Sequence, residues 1–235
     1  MQTGSTIKPR LVTHKMCPFG MYMPFNWRLD EAQLTFRCAL FPHDDNVEEP
    51  AQKAWIALEV TGIPYEFTEI GLYGPNGKPD WFWKLNPKGT VPVLDCGNGE
   101  VWADSDLILD RLPQLQPYGM ILQPPSPEVE QKIQEWRQEI NRMLPIGKNA
   151  IQGRGASSVK PLMEVLRRLD EMVAGPYLCG SQVTVADCAA FPFLWRLAAE
   201  IDLDECPNLQ RWINHCQSNN HAFRTTVQSN WWWWW

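Results

Sequence analysis

Apolar residues in the first half of the chain fall into short runs with two different periods. The segment 51–62 predicts a helix ending at Gly62, because small and apolar side chains, with one threonine, recur at the i, i+3, i+4, i+7 spacing: Ala54, Ala57, Leu58 and Thr61. Short strands are predicted at 10–16, 64–70, 91–95 and 100–102, and further helical segments at 79–85 and from Ser105 onwards.

The order of these elements is strand, helix, strand, helix, strand, strand, helix. A βαβ unit followed by a ββα unit is the thioredoxin-like arrangement, so we predict an α/β domain over residues 1–112. Residues 20–50 form an atypical insertion in this plan.

The second half of the chain predicts only helices. Residues 113–127 are interrupted by prolines and read as an inter-domain linker, since proline cannot sustain a helix. An all-α domain is expected over 128–230, with Thr184 and Asp187 forming a capping box. Five tryptophans, 231–235, end the chain as a separate tail.

Charge and hydropathy exclude several classes of partner. The net charge of −6 and a pI near 5.3 argue against nucleic acid or an anionic membrane. No stretch reaches the ~20 apolar residues needed to span a bilayer, and the first ten residues lack the apolar core of a signal peptide. We therefore expect a soluble, cytoplasmic protein.

The seven cysteines are an odd number and are scattered, without a CxxC pair or a Cys/His cluster. This pattern indicates free thiols in a reducing compartment and predicts no metal site. Any thiol chemistry would use one cysteine. Cys17 follows a predicted strand, although a lone cysteine is often only a small buried apolar residue.

Four segments together resemble the glutathione transferase superfamily, most closely its cysteine-type branch of dehydroascorbate reductases and omega-class enzymes. They are HKMCPF (14–19), AQKAWIALEVTGIPYEFTEI (51–70), GKPDWFWKLNPKGTVPVLD (77–95) and VWADSDLILDRL (101–112). In the second half, YLCGSQVTVADCAAFPFL (177–194) resembles the helix-capping motif of the same family. The resemblance implies the glutathione transferase fold: a thioredoxin-like N-terminal domain plus an all-α C-terminal domain. It also implies glutathione as co-substrate and a homodimer.

The same resemblance implies roles for individual residues. Cys17 would be the catalytic thiol, with a pKa lowered from ~8.5 at the start of a helix, and Phe19 would adjoin glutathione. Gly20 stands where many relatives carry a second Ser or Cys, so the chemistry would be monothiol.

The remaining predicted contacts belong to glutathione itself. Val91, before a cis Pro92, would pair with the cysteinyl backbone of glutathione as an added strand. Asp104 and Ser105 would hold the ammonium and carboxylate of its γ-glutamyl group, and Lys78 matches a lysine of the omega class that contacts glutathione. Taken alone, Asp-Ser before a helix is an ordinary N-cap.

Three explanations of residues 20–50 remain open at this point. The segment is an insertion that forms a lid or docking loop, or a retained intron or other gene-model error. In the third, LTFRCALF (34–41) replaces 10–16 as the first strand and leaves Cys17 outside the domain.

The sequence thus predicts a glutathione-dependent thiol transferase or dehydroascorbate reductase acting on a small oxidised substrate between the domains. The alternatives are conjugation of glutathione to electrophiles, or a non-catalytic scaffold of the same fold. In the scaffold alternative, 20–50 or the tryptophan tail would contact a protein partner.

Overall fold

A five-stranded mixed sheet forms the centre of the N-terminal domain. The computed structural model describes residues 11–12, 34–38, 48–70, 77–152 and 156–227. The strands are β1 (Leu11–Val12), β2 (Leu34–Cys38), β3 (Tyr65–Glu69), β4 (Val93–Asp95) and β5 (Val101–Ala103), in the spatial order β1-β3-β2-β4-β5.

Strand directions confirm the predicted βαβ and ββα units. β2 and β3 are parallel and joined by helix α1 (Glu48–Thr61), whereas β4 runs antiparallel to β2, and β5 antiparallel to β4. Helix α2 (Asp80–Leu85) precedes β4, and α3 (Ser105–Arg111) follows β5. The fold class predicted for this domain is therefore confirmed.

The strand that precedes α1 in the βαβ unit is β2, whereas the sequence predicted 10–16 for this place. β2 occupies the central position between β3 and β4, and β1 lies at the far edge, paired only with β3 among the described strands. β2 thus takes the central position that the third alternative gives to 34–41, although residues 11–12 of the segment 10–16 stay in the sheet as the edge strand β1. Only nine residues, 39–47, connect β2 to α1, and short connections between consecutive elements are favoured. Cys17, Phe19 and the tail 231–235 lie outside the described residues.

Five helices make up the C-terminal half over the described ranges 127–152 and 156–227. They are α4 (Pro127–Gln152), α5 (Ala156–Met172), α6 (Val185–Glu200), α7 (Pro207–Asn219) and α8 (His221–Thr226). Before them, the proline-rich stretch forms two short 3₁₀ turns, Leu112–Gln114 and Tyr118–Leu122.

Helix α6 is the centre of the main core, and α1 packs against both α6 and α8. One hydrophobic cluster therefore runs from the N-terminal domain into the C-terminal helices. Within it, Phe191 meets Trp212 and Phe223 edge-on, with ring centroids 6.0 and 4.9 Å apart.

The predicted capping box at the start of α6 is present. Asp187 Oδ2 accepts a hydrogen bond from the backbone N–H of Thr184 at 2.8 Å. The other oxygen, Oδ1, accepts from the Leu178 N–H and from the Trp212 indole N–H. This fully buried carboxylate therefore also links α7 to the loop that precedes α6. In the described part of the chain, no helix combines the length and apolarity needed to cross a bilayer.

Candidate functional site

Three strand ends meet at one edge of the sheet and define the candidate site. Arg37 on β2 is paired with Val93 on β4, which is paired in turn with Ala103 on β5. Continuing this antiparallel register brings Val91 and Pro92, just before β4, beside Asp104 and Ser105, just after β5. Four of the residues predicted to bind glutathione therefore share one edge of the sheet.

The segment before β4 is held by a buried asparagine that the sequence analysis did not single out. The side chain of Asn86 donates from Nδ2 to the Thr90 carbonyl at 2.7 Å and to the Thr90 hydroxyl at 3.1 Å, and its Oδ1 accepts from the Lys88 N–H at 3.2 Å. Val91 follows directly, and the Val91–Pro92 bond is cis, as predicted. These bonds fix the backbone that presents Val91.

The turn that leads into α3 is closed by an aspartate. Asp104 Oδ1 accepts from the Asp106 N–H at 2.8 Å and from the Leu107 N–H at 3.2 Å, which makes Asp104 the N-cap of α3. Ser105 is buried at the start of the helix, whereas Asp104 is exposed. The ordinary capping role and the predicted ligand role thus fall on the same exposed carboxylate.

Lys78 lies near the 86–92 segment, with the side chain of Trp83 between them. Its Nζ stands 5.4 Å from the centroid of the Trp83 ring, and burial lowers the pKa of this lysine. Trp83 packs against Gly89, where a Cβ atom would meet the indole at 2.5 Å; Gly89 has φ +66°, a conformation that favours glycine. Lys78 therefore borders the 86–92 segment that ends at Val91 and Pro92.

A network of buried and half-buried charges lies behind Asp104 and Ser105. Lys53 of α1 lies 3.7 Å from Asp106, measured from Nζ to Oδ1, and Arg137 of α4 contacts the same carboxylate at 3.3 Å. Arg137 also pairs with Asp110. Burial alone would lower the pKa of Arg137, but Asp110 and Asp106 raise it above its ordinary value. The network joins both domains.

Of the seven cysteines, the structure describes the side chains of five, and all five are buried: Cys96, Cys179, Cys188, Cys206 and Cys216. Burial raises the pKa of Cys96 and Cys179 to about 12 and that of Cys206 to about 11. It also raises the pKa of the other two thiols. None of these five is suited to act as a thiolate near neutral pH.

A cavity of about 590 Å³ lies between the end of α3, the linker and α4. Leu109, Gln114, Gln134 and Asn141 are among its lining residues, and none of the residues predicted to bind glutathione lines it. Within the described ranges, no group of three or more His, Cys, Asp or Glu side chains could hold a metal ion.

One signal in the sequence could have revealed Lys53. It precedes Ala57 by four residues and so lies on the apolar stripe of α1, where a lysine indicates a buried, paired charge. Asn86 offered a weaker signal, since asparagine before proline is common in turns.

Comparison with known proteins identifies the class to which this fold and site belong. The family model for the glutathione S-transferase N-terminal domain matches residues 50–115, and that for the C-terminal domain matches residues 130–215. The chain belongs to the glutathione S-transferase family. The N-terminal match begins within α1, so neither Cys17 nor Cys38 falls inside it.

Individual relatives refine this assignment. The chain is 27% identical over 156 residues to "Probable glutathione S-transferase DHAR1, cytosolic" of Oryza sativa subsp. japonica, covering 65% of this chain and 68% of that one. It is 29% identical over 175 residues to "Glutathione S-transferase omega-1" of Sus scrofa, covering 69% and 70%. Glutathione transferase Omega 3C from Trametes versicolor has a similar fold, with a TM-score of 0.66, 22% identity and coverage of 79% and 82%.

Proposed function

We propose that this protein is a glutathione-dependent thiol transferase that reduces dehydroascorbate. The observation that carries the proposal is the strand register, in which Val93 lies opposite Ala103, so that Val91 and Pro92 directly precede one paired residue and Asp104 and Ser105 directly follow the other. The names of the rice and pig relatives, a DHAR-type and an omega-type transferase, support the cysteine-type branch over conjugation through a hydroxyl.

Glutathione would bind in an extended conformation along this edge. The Val91 backbone would pair with the cysteinyl residue, as a further strand does with an open sheet edge. Ser105 and the amides around it would receive the γ-glutamyl carboxylate, and the exposed carboxylate of Asp104 would receive the ammonium group. Lys78 would contribute a positive charge beside the same backbone.

The catalytic thiol is proposed to be Cys17, with Phe19 beside glutathione. Exclusion of the five buried thiols leaves two candidates, Cys17 and Cys38. β1 ends at Val12 and lies three strands away from β4 in the sheet. At about 4.8 Å between neighbouring strands, the distance from β1 to β4 is about 14 Å. The five residues from Val12 to Cys17 span up to ~17 Å when extended, so Cys17 is within reach of the site.

Cys38 is the second candidate because of its place in the register. It is the last residue of β2, and continuing the pairing of Arg37 with Val93 sets residue 38 opposite Pro92. This register makes Cys38 the residue against which Cys17 must be tested.

The proposed reaction uses two molecules of glutathione. The cysteine thiolate adds to a carbonyl carbon of dehydroascorbate, and the oxygen takes up a proton. The first glutathione thiolate attacks the enzyme sulfur, releasing ascorbate and forming a mixed disulfide. The second glutathione attacks this disulfide, which yields glutathione disulfide and restores the enzyme thiolate. Dehydroascorbate is thus reduced by two electrons and two glutathiones are oxidised.

The experiment compares wild type, Cys17→Ser and Cys38→Ser as a matched pair of substitutions. Glutathione-dependent reduction of dehydroascorbate, glutathione affinity by calorimetry, and the mass of the trapped mixed disulfide are measured for all three. We expect Cys17→Ser to bind glutathione as wild type does, to lose at least ~100-fold in kcat, and to form no mixed disulfide. Cys38→Ser should retain activity.

The reverse pattern would move the nucleophile to Cys38 and leave the proposed reaction intact. Binding of glutathione without turnover by the wild type would contradict the proposed activity and favour a non-catalytic scaffold of this fold.

We also propose a homodimer in the cytoplasm. The rice relative is named as cytosolic, whereas an Arabidopsis thaliana relative is named as chloroplastic. The tryptophan tail is proposed as a surface for a protein partner. Residues 34–38 of the 20–50 segment form the central strand β2, which is already paired on both sides. Light scattering after size-exclusion chromatography tests the assembly: a mass near 54 kDa, about twice the 27.1 kDa chain, supports the dimer.

A further inference from the structure

Lys53 is a charged side chain placed in the interior of the molecule. It lies in α1 and is only 4% exposed. Its Nζ has the Asp106 carboxylate at 3.7 Å on one side and the Phe193 ring of α6 at 5.1 Å on another. A buried ammonium group is costly unless it is paired, so a lysine at this position calls for a specific role.

The partner of Lys53 belongs to the turn that carries the proposed γ-glutamyl contacts. Asp106 directly follows Ser105, and its backbone N–H donates to Asp104 Oδ1 at 2.8 Å. Moving Asp106 would therefore move both Asp104 and Ser105. Asp106 is held by Lys53 from α1 and by Arg137 from α4.

These contacts also separate Lys53 from the rest of the glutathione site. The 86–92 segment is held by Asn86, through bonds to Thr90 and Lys88. The contacts of the Lys53 ammonium group with Asp106 and Phe193 lead instead to α3 and α6. A change at Lys53 should therefore affect one end of glutathione, the γ-glutamyl end, and spare the cysteinyl backbone beside Val91.

We propose that Lys53 is a positioning residue for glutathione: it holds the Asp106 carboxylate and so sets the Asp104–Ser105 turn for the γ-glutamyl group. The inference rests on the proposed function for the identity of the ligand. Lys53 acts through Asp106 and takes no part in the thiol chemistry. It selects for thiols that carry a γ-glutamyl group.

The test compares two thiols that differ only in that group. Steady-state kinetics of Lys53→Met and wild type are measured with glutathione and with the dipeptide cysteinylglycine, which lacks the γ-glutamyl residue. For Lys53→Met we expect KM for glutathione to rise about tenfold with kcat within about twofold, and KM for cysteinylglycine to stay unchanged. Lys132→Met, on the exposed face of α4, is the matched control and should change neither value.

Two results would overturn the inference. One is an unchanged KM for glutathione in a folded Lys53→Met protein. The other is an equal rise for both thiols, which would indicate a general structural role. Direct calorimetry with glutathione keeps this test separate from the proposed function. A wild type that binds glutathione but reduces nothing contradicts the proposed activity. In that case, the dissociation constants of wild type and of Lys53→Met for glutathione still decide the role of Lys53.

A second pair of variants covers the case in which Lys53→Met does not fold. Asp106 and Asp110 both pair with Arg137, and both are about half exposed, but only Asp106 contacts Lys53. Asp106→Asn should reproduce the selective rise in KM for glutathione, and Asp110→Asn should not. Equal effects of the two substitutions would contradict the inference.

Discussion

At the scale of single residues, burial sorts the cysteines more sharply than their spacing does. Cys188 and Cys216 are fully buried on α6 and α7, and Cys96 is held near the β4–β5 hairpin with carboxylates of Glu100 and Asp95 around it. Low dielectric disfavours the thiolate, so each of these side chains stays a neutral, apolar group at neutral pH. The sequence distinguishes Cys17 by its context but does not show which of the other six thiols are buried.

This difference predicts the pattern of alkylation in the native protein. Because a thiol whose pKa is raised above 10 is almost entirely protonated at pH 8, iodoacetamide should leave Cys96, Cys179 and Cys206 unlabelled. Labelling should be confined to Cys17 and Cys38, and in urea all seven cysteines should react. Peptide mass mapping checks both conditions. If a core cysteine is labelled as fast in the native protein as in urea, its side chain is not buried in solution.

At the scale of elements, the segment between α2 and β4 depends on one buried side chain. Asn86 is 3% exposed and makes three hydrogen bonds within five residues, which replace the regular pairing that a strand or helix would offer this backbone. Its own N–H donates to the Phe82 carbonyl at the end of α2. Asn86 therefore links the helix to the position of Val91.

We predict that Asn86→Ala lowers the free energy of unfolding by about 2–3 kcal/mol and raises KM for glutathione several-fold. The substitution removes all three part-buried hydrogen bonds of the buried Asn86 side chain, each contributing about 0.5–1.5 kcal/mol. Urea titration and steady-state kinetics measure the two effects.

The matched control for Asn86→Ala is Asn98→Ala. Asn98 Oδ1 accepts from the Glu100 N–H in the exposed β4–β5 turn, at the opposite end of these strands from the site. This substitution should cost less than ~1 kcal/mol and leave KM unchanged. An equal rise in KM for both variants would mean that Asn86 stabilises the fold without positioning Val91.

At the scale of the whole molecule, the sequence predicted local elements well and long-range arrangement less completely. The helix before Gly62 and the Thr184–Asp187 cap each follow from a few adjacent residues, the cis bond at Pro92 follows from the family resemblance, and the structure confirms all three. The position of β2 between β3 and β4 does not follow in this way. Two segments with strand character precede α1, and only pairing with β3 and β4 decides which is central.

In the candidate site, too, local features were predicted and long-range contacts were not. Val91, Pro92, Asp104 and Ser105 were predicted because the segments that contain them resemble those of the glutathione transferase superfamily. Contacts across elements were missed, because a single sequence does not reveal which buried charge on α1 meets which carboxylate on α3. Lys53 and Arg137 belong to this second group.

The contact between the two domains gives the last prediction, at Arg137. This guanidinium on α4 holds Asp106 and Asp110 of α3, and its side chain is only 14% exposed, whereas the carboxylates are 43% and 53% exposed. Arg137→Gln removes the charge and leaves two carboxylates that water can still reach. We therefore expect a loss of about 1–2 kcal/mol in the free energy of unfolding, below the 3–5 typical of a fully buried pair.

Urea titration of Arg137→Gln beside Arg142→Gln tests this expectation. Arg142 pairs with Glu139 within α4 and is 66% exposed, so its removal should cost less than ~0.5 kcal/mol. Because the Arg137 pairs cross from one domain to the other, their loss should also separate the unfolding of α3 from that of α4. A shallower transition would then appear only in Arg137→Gln. If both variants unfold as steeply as wild type and at the same urea concentration, the hydrophobic core shared by α1 and α6 holds the domains together without the ion pairs.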